Sequence, residues 1–313
     1  MYEWHRQVQK IVDELDRCII SRDDNGLTLQ TIARANGYSA FHMTRKFREL
    51  AGTSLRDYLR RRRLAFALID LRDTQKSILD IAVDYGFSSH EAFCRSFKAA
   101  YGLAPGAYRA KPSPVALCTK RITFDRYLLG LGEIGMAKST EEIKIYFVSI
   151  PAHKFLHIKH YESDGYFDFW EKQAAIPGMD CDSICGTLDS IKGKLDGEDG
   201  AIGQYSGQIM ARLMEGDKEP EAYGVRLPET YKGEIPMQMQ LLDVPQGEYL
   251  VFEHGSFDYE QECESLYEKL DAAVNSFDYS GTDYAPDHRA GRTAYFYFDP
   301  SKHIKRVIPV VRK

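Results

Sequence analysis

The chain has 313 residues, enough for two domains that each bury a core, and its 43% hydrophobic and 28% charged content is ordinary for globular protein. No stretch approaches the ~18 uninterrupted apolar residues of a membrane helix, and Met1-Tyr2-Glu3-Trp4-His5-Arg6 mixes charges where a signal peptide needs an apolar run, so a cytoplasmic protein with no membrane partner is expected. The formal net charge of −5 hides an asymmetry: residues 1–115 carry 19 basic and 13 acidic side chains, net +6, and the remainder carries −11. A basic front can hold phosphates that an acidic back would repel.

Along the chain, Val8, Ile11, Val12, Leu15 and Ile19 recur at helical spacing and predict a first helix. A duplicated unit follows. Ile32-Ala33-Arg34-Ala35-Asn36-Gly37-Tyr38-Ser39 matches Ile81-Ala82-Val83-Asp84-Tyr85-Gly86-Phe87-Ser88, and Arg45, Phe47, Gly52 and Tyr58 then match Arg95, Phe97, Gly102 and Tyr108. Each copy reads as helix, glycine turn, helix, the outline of a helix-turn-helix. Thr28 and Ser39 are expected caps in the first copy, and Ser77-Ile78-Leu79-Asp80 and Ser88-Ser89-His90-Glu91 fit the capping box in the second. Between the copies, residues 54–73 read as one long connecting helix with Leu55, Tyr58, Leu59, Leu64, Ala67, Leu68 and Leu71 on its apolar side. The run Arg60 to Arg63 within it is expected to be a solvated face.

Helical spacing turns Met43, Phe47 and Leu50 inward, leaving Phe41, Thr44, Arg45 and Arg48 outside. In the second copy Phe93 and Phe97 turn inward, leaving His90, Glu91, Cys94, Arg95 and Lys98 outside. These outer side chains suit the DNA major groove. Arg donates twice to guanine, Glu accepts from cytosine N4, and Phe or Thr touches a thymine methyl. Two such helices in one chain suit successive grooves about 34 Å apart, which makes double-stranded DNA the expected partner.

Over residues 5–112 the sequence resembles the AraC/XylS family of transcription regulators. The resemblance rests on Leu29 through Leu64, including Ala33, Gly37, Phe47 and Gly52, and on Ile81-Ala82 through Tyr108-Arg109, including Gly86-Phe87, Arg95, Phe97 and Pro105. It implies base reading by Phe41, Thr44, Arg45, His90, Glu91, Cys94 and Arg95, and RNA polymerase as a further partner. Many relatives carry Gln-like residues where His90 and Glu91 stand, so no target sequence transfers.

From Lys111-Pro112-Ser113-Pro114 the pattern turns to strands, giving the expected division into a double helix-turn-helix domain (1–112), a linker (113–142) and a second domain (143–313). A second repeat lies there. Val148 through His160 parallels Leu242 through His254, each a strand, a turn and a strand followed by a helix, at about 165–175 and 259–276. Further strands are expected at 183–188, 205–213, 293–298 and 304–311, making a multidomain α and α+β protein whose second domain is a pseudo-symmetric antiparallel sheet with helices. His153 and His157 fall on one strand face and His160 on the other, where surface positions are the ordinary expectation. Cys181 and Cys185 have no partner pair at zinc spacing, and the other cysteines are scattered, so free thiols, no metal and no cofactor are expected.

This part, through Gly247-Glu248-Tyr249 to His254-Gly255 and Val307-Ile308-Pro309-Val310, resembles the GyrI-like effector-binding domain, and the domain order resembles Rob-type members of the first family. The resemblance implies a small organic effector of unknown identity in an aromatic cleft. Alternation puts Tyr295 and Tyr297 on one sheet face, and with Trp170, Tyr223, Glu253 and Lys305 they form the candidate effector set. Lys305 stands where cation-sensing relatives carry a glutamate, a departure that Glu253 could offset from the other half. A hydrolase-like second domain, with a Glu–Tyr pair activating water, and a second domain that senses nothing are the alternatives to a ligand sensor that is not an enzyme.

Overall fold

The computed structural model describes residues 2–22, 29–35, 37–125, 129, 142–198, 200–203 and 205–313. The chain divides into two units, one of residues 1–132 with 185–190 and 200–204, the other of the remainder. Thr28, Asn36 and most of the linker region, 126–128 and 130–141, lie outside the described residues.

Helices α1 (Glu3–Ser21), α2 (Leu29–Ala35), α3 (Ala40–Ala51), α4 (Leu55–Asp73), α5 (Ile78–Asp84), α6 (His90–Tyr101) and α7 (Pro105–Ala110) build the first unit. Val8, Ile11, Val12 and Leu15 of the α1 stripe pack with Ile32, Ala33, Met43, Phe47, Leu55 and Tyr58 in one core, while Ile19 joins a second. Leu64, Ala65, Ala67, Leu68 and Leu71 of α4 join Ile81, Ala82, Phe93, Phe97 and Tyr108 in that second core. Because α4 serves one core with its first turn and the other with its later turns, apolar residues wrap around it instead of forming a single stripe. This wrapping corrects the expectation for the arginine run. Arg62 is fully buried, its guanidinium donating to both carboxylate oxygens of Asp16 at 2.9 and 2.6 Å, to the Ile202 carbonyl at 3.2 Å and to the Cys118 carbonyl.

Beyond residue 142 come β1 (Lys144–Ile150), β2 (His153–His160), α8 (Gly165–Ala174), α9 (Cys181–Asp189), β3 (Gln208–Leu213), β4 (Glu221–Pro228), β5 (Gln240–Val244), β6 (Gly247–His254), α10 (Tyr259–Asn275), β7 (Tyr284–Pro286), β8 (Thr293–Asp299) and β9 (His303–Arg312). The described strands form one antiparallel sheet in the order β1-β6-β9-β8-β3-β4-β2-β5, with β7 beside β9. Helix α8 packs on β2, and α10 on β6 and β9. The expected strand at 183–188 is instead part of α9. Asp180 decides this, its carboxylate accepting from the Ser183 amide at 3.0 Å and the Ser183 hydroxyl at 2.7 Å, the pairing a helix start needs. Strand β4 escaped the sequence because Gly224 breaks its pattern. A Cβ at that position would lie 2.1 Å from the Leu156 carbonyl oxygen, so the neighbouring strand leaves room for glycine alone.

The six cysteines are free thiols. Among the described residues no helix is long and apolar enough to cross a membrane, and no three metal-ligating side chains gather.

Candidate functional site

The two helix-turn-helix copies are built by the same local devices. In the first, Gly37 takes φ +73°, and its neighbour's amide donates from Tyr38 to Ala33 at 2.9 Å, closing α2 and turning the chain. Ser39 then caps α3, its hydroxyl accepting from the His42 amide at 3.2 Å, and Gly52 ends it at φ +71°. In the second, Gly86 takes φ +68° and Phe87 donates to Ala82 at 2.9 Å. Ser89 caps α6 by accepting from Ala92 at 3.1 Å, and Gly102 ends it at φ +80°. Ser89, rather than Ser88, is therefore the capping residue.

These devices give α3 and α6 equal lengths and one frame, twelve residues each. Met43 and Phe47, like Phe93 and Phe97, are wholly buried and fix the rotation of each helix. Of the nine expected DNA-facing residues, seven are exposed, Thr44 is half-buried, and Cys94 is half-buried with its side chain packed against the second core. On α3, Phe41 is 80% exposed, and Arg45 and Arg48 are exposed. With Ala40, Thr44 and Glu49 they line an open depression of about 660 Å³. Thr44 is half-buried and donates its hydroxyl to the Ala40 carbonyl at 2.8 Å. On α6, His90, Glu91, Arg95 and Lys98 are exposed, and Cys94 is half-buried with its sulfur 3.6 Å from His90 Nε2. The Glu91 carboxyl is held below the usual carboxylate range by its own backbone N–H and the Ser89 hydroxyl, so it is ionised at neutral pH. Partial burial and the neighbouring Glu91 push the Cys94 thiol up, so it stays protonated.

Sequence reasoning did not find the aromatic cluster beside α3. Trp4 of α1 lies 4.4 Å from the Tyr38 ring and 4.9 Å from that of His42, bracing the start of the helix. Its signal was faint, because Trp4 lies more than thirty residues before Tyr38 and His42 and shares no pattern with them.

The six candidate effector residues divide between the two faces of the sheet. Tyr295 and Tyr297 sit with Phe155, Ile209, Tyr249 and Val307 on the face without the helices. Lys305 pairs across strands with both Tyr297 and Glu253, and its Nζ lies 4.6 Å from the Tyr297 ring. Tyr146 donates to Glu253, and burial together with that bond pushes the phenol up to about 12. Trp170 and Tyr223 lie on the helix-covered face, their rings 4.9 Å apart. There Tyr267 of α10 also meets Phe296 and Phe298.

The face carrying Tyr295 is more polar than its apolar alternation promised. Arg226 donates to both oxygens of Asp196 at 2.7 and 2.6 Å, with its guanidinium carbon 5.5 and 5.8 Å from the Tyr295 and Tyr297 rings. Tyr297 donates to Asp196 at 3.3 Å, and His153 Nε2 stands 2.6 Å from the Tyr295 hydroxyl oxygen. His153 and His157 are each only 2% exposed, which corrects the expectation of surface histidines, and burial lowers both. No alternation of residue types signals this charge pair, because Asp196 comes from outside the strands, between α9 and β3.

Comparison with known proteins bears on the first unit. A family described as "Helix-turn-helix domain" matches residues 32–111. The regulatory protein SoxS of Escherichia coli strain K12 is 38% identical over 101 residues, 32% of this chain and 94% of that protein. The HTH-type transcriptional activator AarP of Providencia stuartii is 39% identical over 106 residues, 34% of this chain and 78% of that protein. The Right origin-binding protein of Escherichia coli strain K12 is 39% identical over 89 residues, 28% of this chain but 31% of that protein. The family match spans both capped helices, α3 and α6, and the connector between them, and the chain belongs to the AraC family of sequence-specific DNA-binding transcription regulators.

Proposed function

We propose that this regulator binds DNA with Phe41, Thr44, Arg45 and Arg48 of α3 and His90, Glu91, Cys94, Arg95 and Lys98 of α6, and answers to a small organic effector held by its second unit. The observation that carries the DNA reading is the shared frame of α3 and α6, which presents an exposed arginine, Arg45 and Arg95, at the same position of each helix. Bidentate arginine is the commonest specific contact to guanine. One chain supplying two readers fixes half-site spacing covalently, so a single protomer suffices for a bipartite site.

For the effector, the supporting observation is the sheet order. Exchanging β1 with β5, β2 with β6, β3 with β8 and β4 with β9 returns the same order read from the other end, and α8 and α10 follow corresponding strands. That pseudo-symmetry fits a GyrI-like effector-binding domain. Within it, Glu253, Lys305, Tyr295 and Tyr297 share a face and are the better candidates for the ligand; Trp170 and Tyr223 support the opposite face. The balance of Lys305 and Arg226 against Glu253 and Asp196 favours a neutral or zwitterionic aromatic molecule over a simple cation. RNA polymerase is the proposed downstream partner, and the cytoplasm the proposed location.

The test is selection of duplexes from a random pool by the full-length protein, followed by salt titration beside the Arg45→Ala/Arg95→Ala double variant. A tight bipartite site that the variant loses supports the reading, and undiminished binding by the variant refutes it. For the second unit, small-molecule screening by thermal shift, repeated with Tyr297→Ala, should find ligands whose stabilisation the variant loses. Turnover of such a ligand would favour the hydrolase alternative.

A further inference from the structure

The frame shared by α3 and α6 allows their side chains to be compared position by position. Arg45 corresponds to Arg95, but one helical turn nearer the N-terminus Phe41 corresponds to Glu91, and Thr44 corresponds to Cys94. The turn that carries each arginine's neighbour therefore differs in kind between the two helices.

On α3 that neighbourhood is apolar. Phe41 is 80% exposed, which strands a whole aromatic ring in water unless DNA covers it. Thr44 spends its hydroxyl on the Ala40 carbonyl at 2.8 Å, and so offers its methyl group to an incoming base. In the major groove only thymine answers such a surface, through its C5 methyl. On α6 the same place holds an exposed, ionised carboxylate, which accepts hydrogen bonds and donates none. Guanine and thymine present acceptors there and would be repelled. Adenine offers one amino group beside the N7 acceptor, whereas cytosine offers N4 without an acceptor next to it.

Resting on the reading of α3 and α6 as the DNA contacts, we infer that the base beside the arginine-contacted guanine differs between the two half-sites, being thymine under α3, met by Phe41 and Thr44, and cytosine under α6, met by Glu91. The internal repeat supplies two copies of one reader, and the Phe41/Glu91 difference makes the two half-sites non-identical.

Duplexes recovered by selection with the full-length protein test this directly. Replacing the thymine under α3 by deoxyuridine should weaken wild-type binding about 4-fold, the worth of one buried methyl group, and weaken Phe41→Ala less, since only the Thr44 methyl still meets the base there. Glu91→Gln should move the preference under α6 from cytosine to adenine, which glutamine reads through N6 and N7, a change of about 5- to 150-fold in relative affinity. The double exchange Phe41→Glu/Glu91→Phe should swap the two flanking bases. Both positions are exposed, so these variants should fold as the wild type does, and matching thermal melts check that. Identical flanking bases in both half-sites, equal affinity for uridine and thymidine duplexes, or an unmoved preference in Glu91→Gln would each overturn the inference while leaving the DNA reading intact. A wild type that enriches no sequence, or an Arg45→Ala/Arg95→Ala variant that keeps the site, would overturn the proposed function and this inference with it.

Discussion

Arg62 of α4 and Asp16 of α1 form a buried ion pair in which every guanidinium nitrogen has an acceptor: the two carboxylate oxygens, the Cys118 carbonyl and the Ile202 carbonyl. Side-chain exposure is 0% for the arginine and 9% for the aspartate. Bidentate geometry and two further carbonyls offset the desolvation that a buried charge incurs. The pair sits where α4 passes from one core to the other, so it ties the first helix-turn-helix to the connector that leads to the second.

Removing one partner should therefore be far worse than removing both. Asp16→Ala leaves a buried guanidinium uncompensated and should cost about 3–5 kcal/mol, whereas Asp16→Leu/Arg62→Met should lie much nearer the wild type. Urea melts of the full-length protein would read both. Equal losses in the two variants would mean that the pair is not buried in solution.

The caps of α3 and α6 make a smaller prediction. Ser39 and Ser89 each satisfy one orphan amide at a helix start. Ser39→Ala and Ser89→Ala should each cost about 1 kcal/mol in thermal or urea melts. DNA affinity should fall as well, because the frayed turn is the one that carries Phe41 or Glu91. Alanine at Ser88 should change neither, since Ser89 holds the capping position.

Much of this was legible in the sequence because it depends on local rules. The two repeats, the turn glycines Gly37 and Gly86 and the periodic placement of Phe47 and Phe97 follow from spacing alone. Arg62 was misread because a run of four arginines carries no mark of which one faces a core; that depends on Asp16, 46 residues earlier. The residues 183–188 were misread because the short run Ser-Ile-Cys-Gly-Thr-Leu lacks a decisive period, and Asp180 settled the outcome from outside it. The effector set was legible as a list of aromatics but not as a site. Strand alternation fixed Tyr295 against Phe296, while only the pairing of β4 with β2 and β3 puts Tyr223 on the far side of the sheet from them.

Arg48 and Lys98 occupy matching places in the last turns of α3 and α6, C-terminal to the proposed base contacts Phe41, Arg45, Glu91 and Arg95. As phosphate contacts they would neutralise charge without reading sequence. Arg48→Ala and Lys98→Ala should weaken binding to all duplexes alike and each reduce the slope of log affinity against log salt by about 1. A loss confined to the selected site, with the slope unchanged, would instead make them base contacts.

The buried histidines set the response of the second unit to acid. Burial lowers His153, His157 and His303 from the usual 6.5. The charges facing His157 are Lys159, which lowers it further, and Glu215, which opposes; for His153 they are Arg226 and Asp196 in the same two senses. In the unfolded chain each histidine takes up its proton near pH 6.5, while in the fold it does so only at lower pH. Between those points the unfolded state holds more protons, so stability is full above about pH 6.5 and falls as the pH drops, until the folded groups protonate too. Each histidine contributes at most about 1.4 kcal/mol per pH unit in that window. The carboxylates whose values are lowered, such as Asp168 and Asp287, titrate below it and do not confuse the reading between pH 5 and 6.5. Thermal melts of the full-length protein from pH 8 to 5 should show the decline. His157→Phe keeps a flat ring stacked on Phe155, 5.1 Å away in the native fold, and should flatten the decline without unfolding the unit. An unchanged slope in that variant would mean that His157 is as easily protonated in the fold as in the open chain.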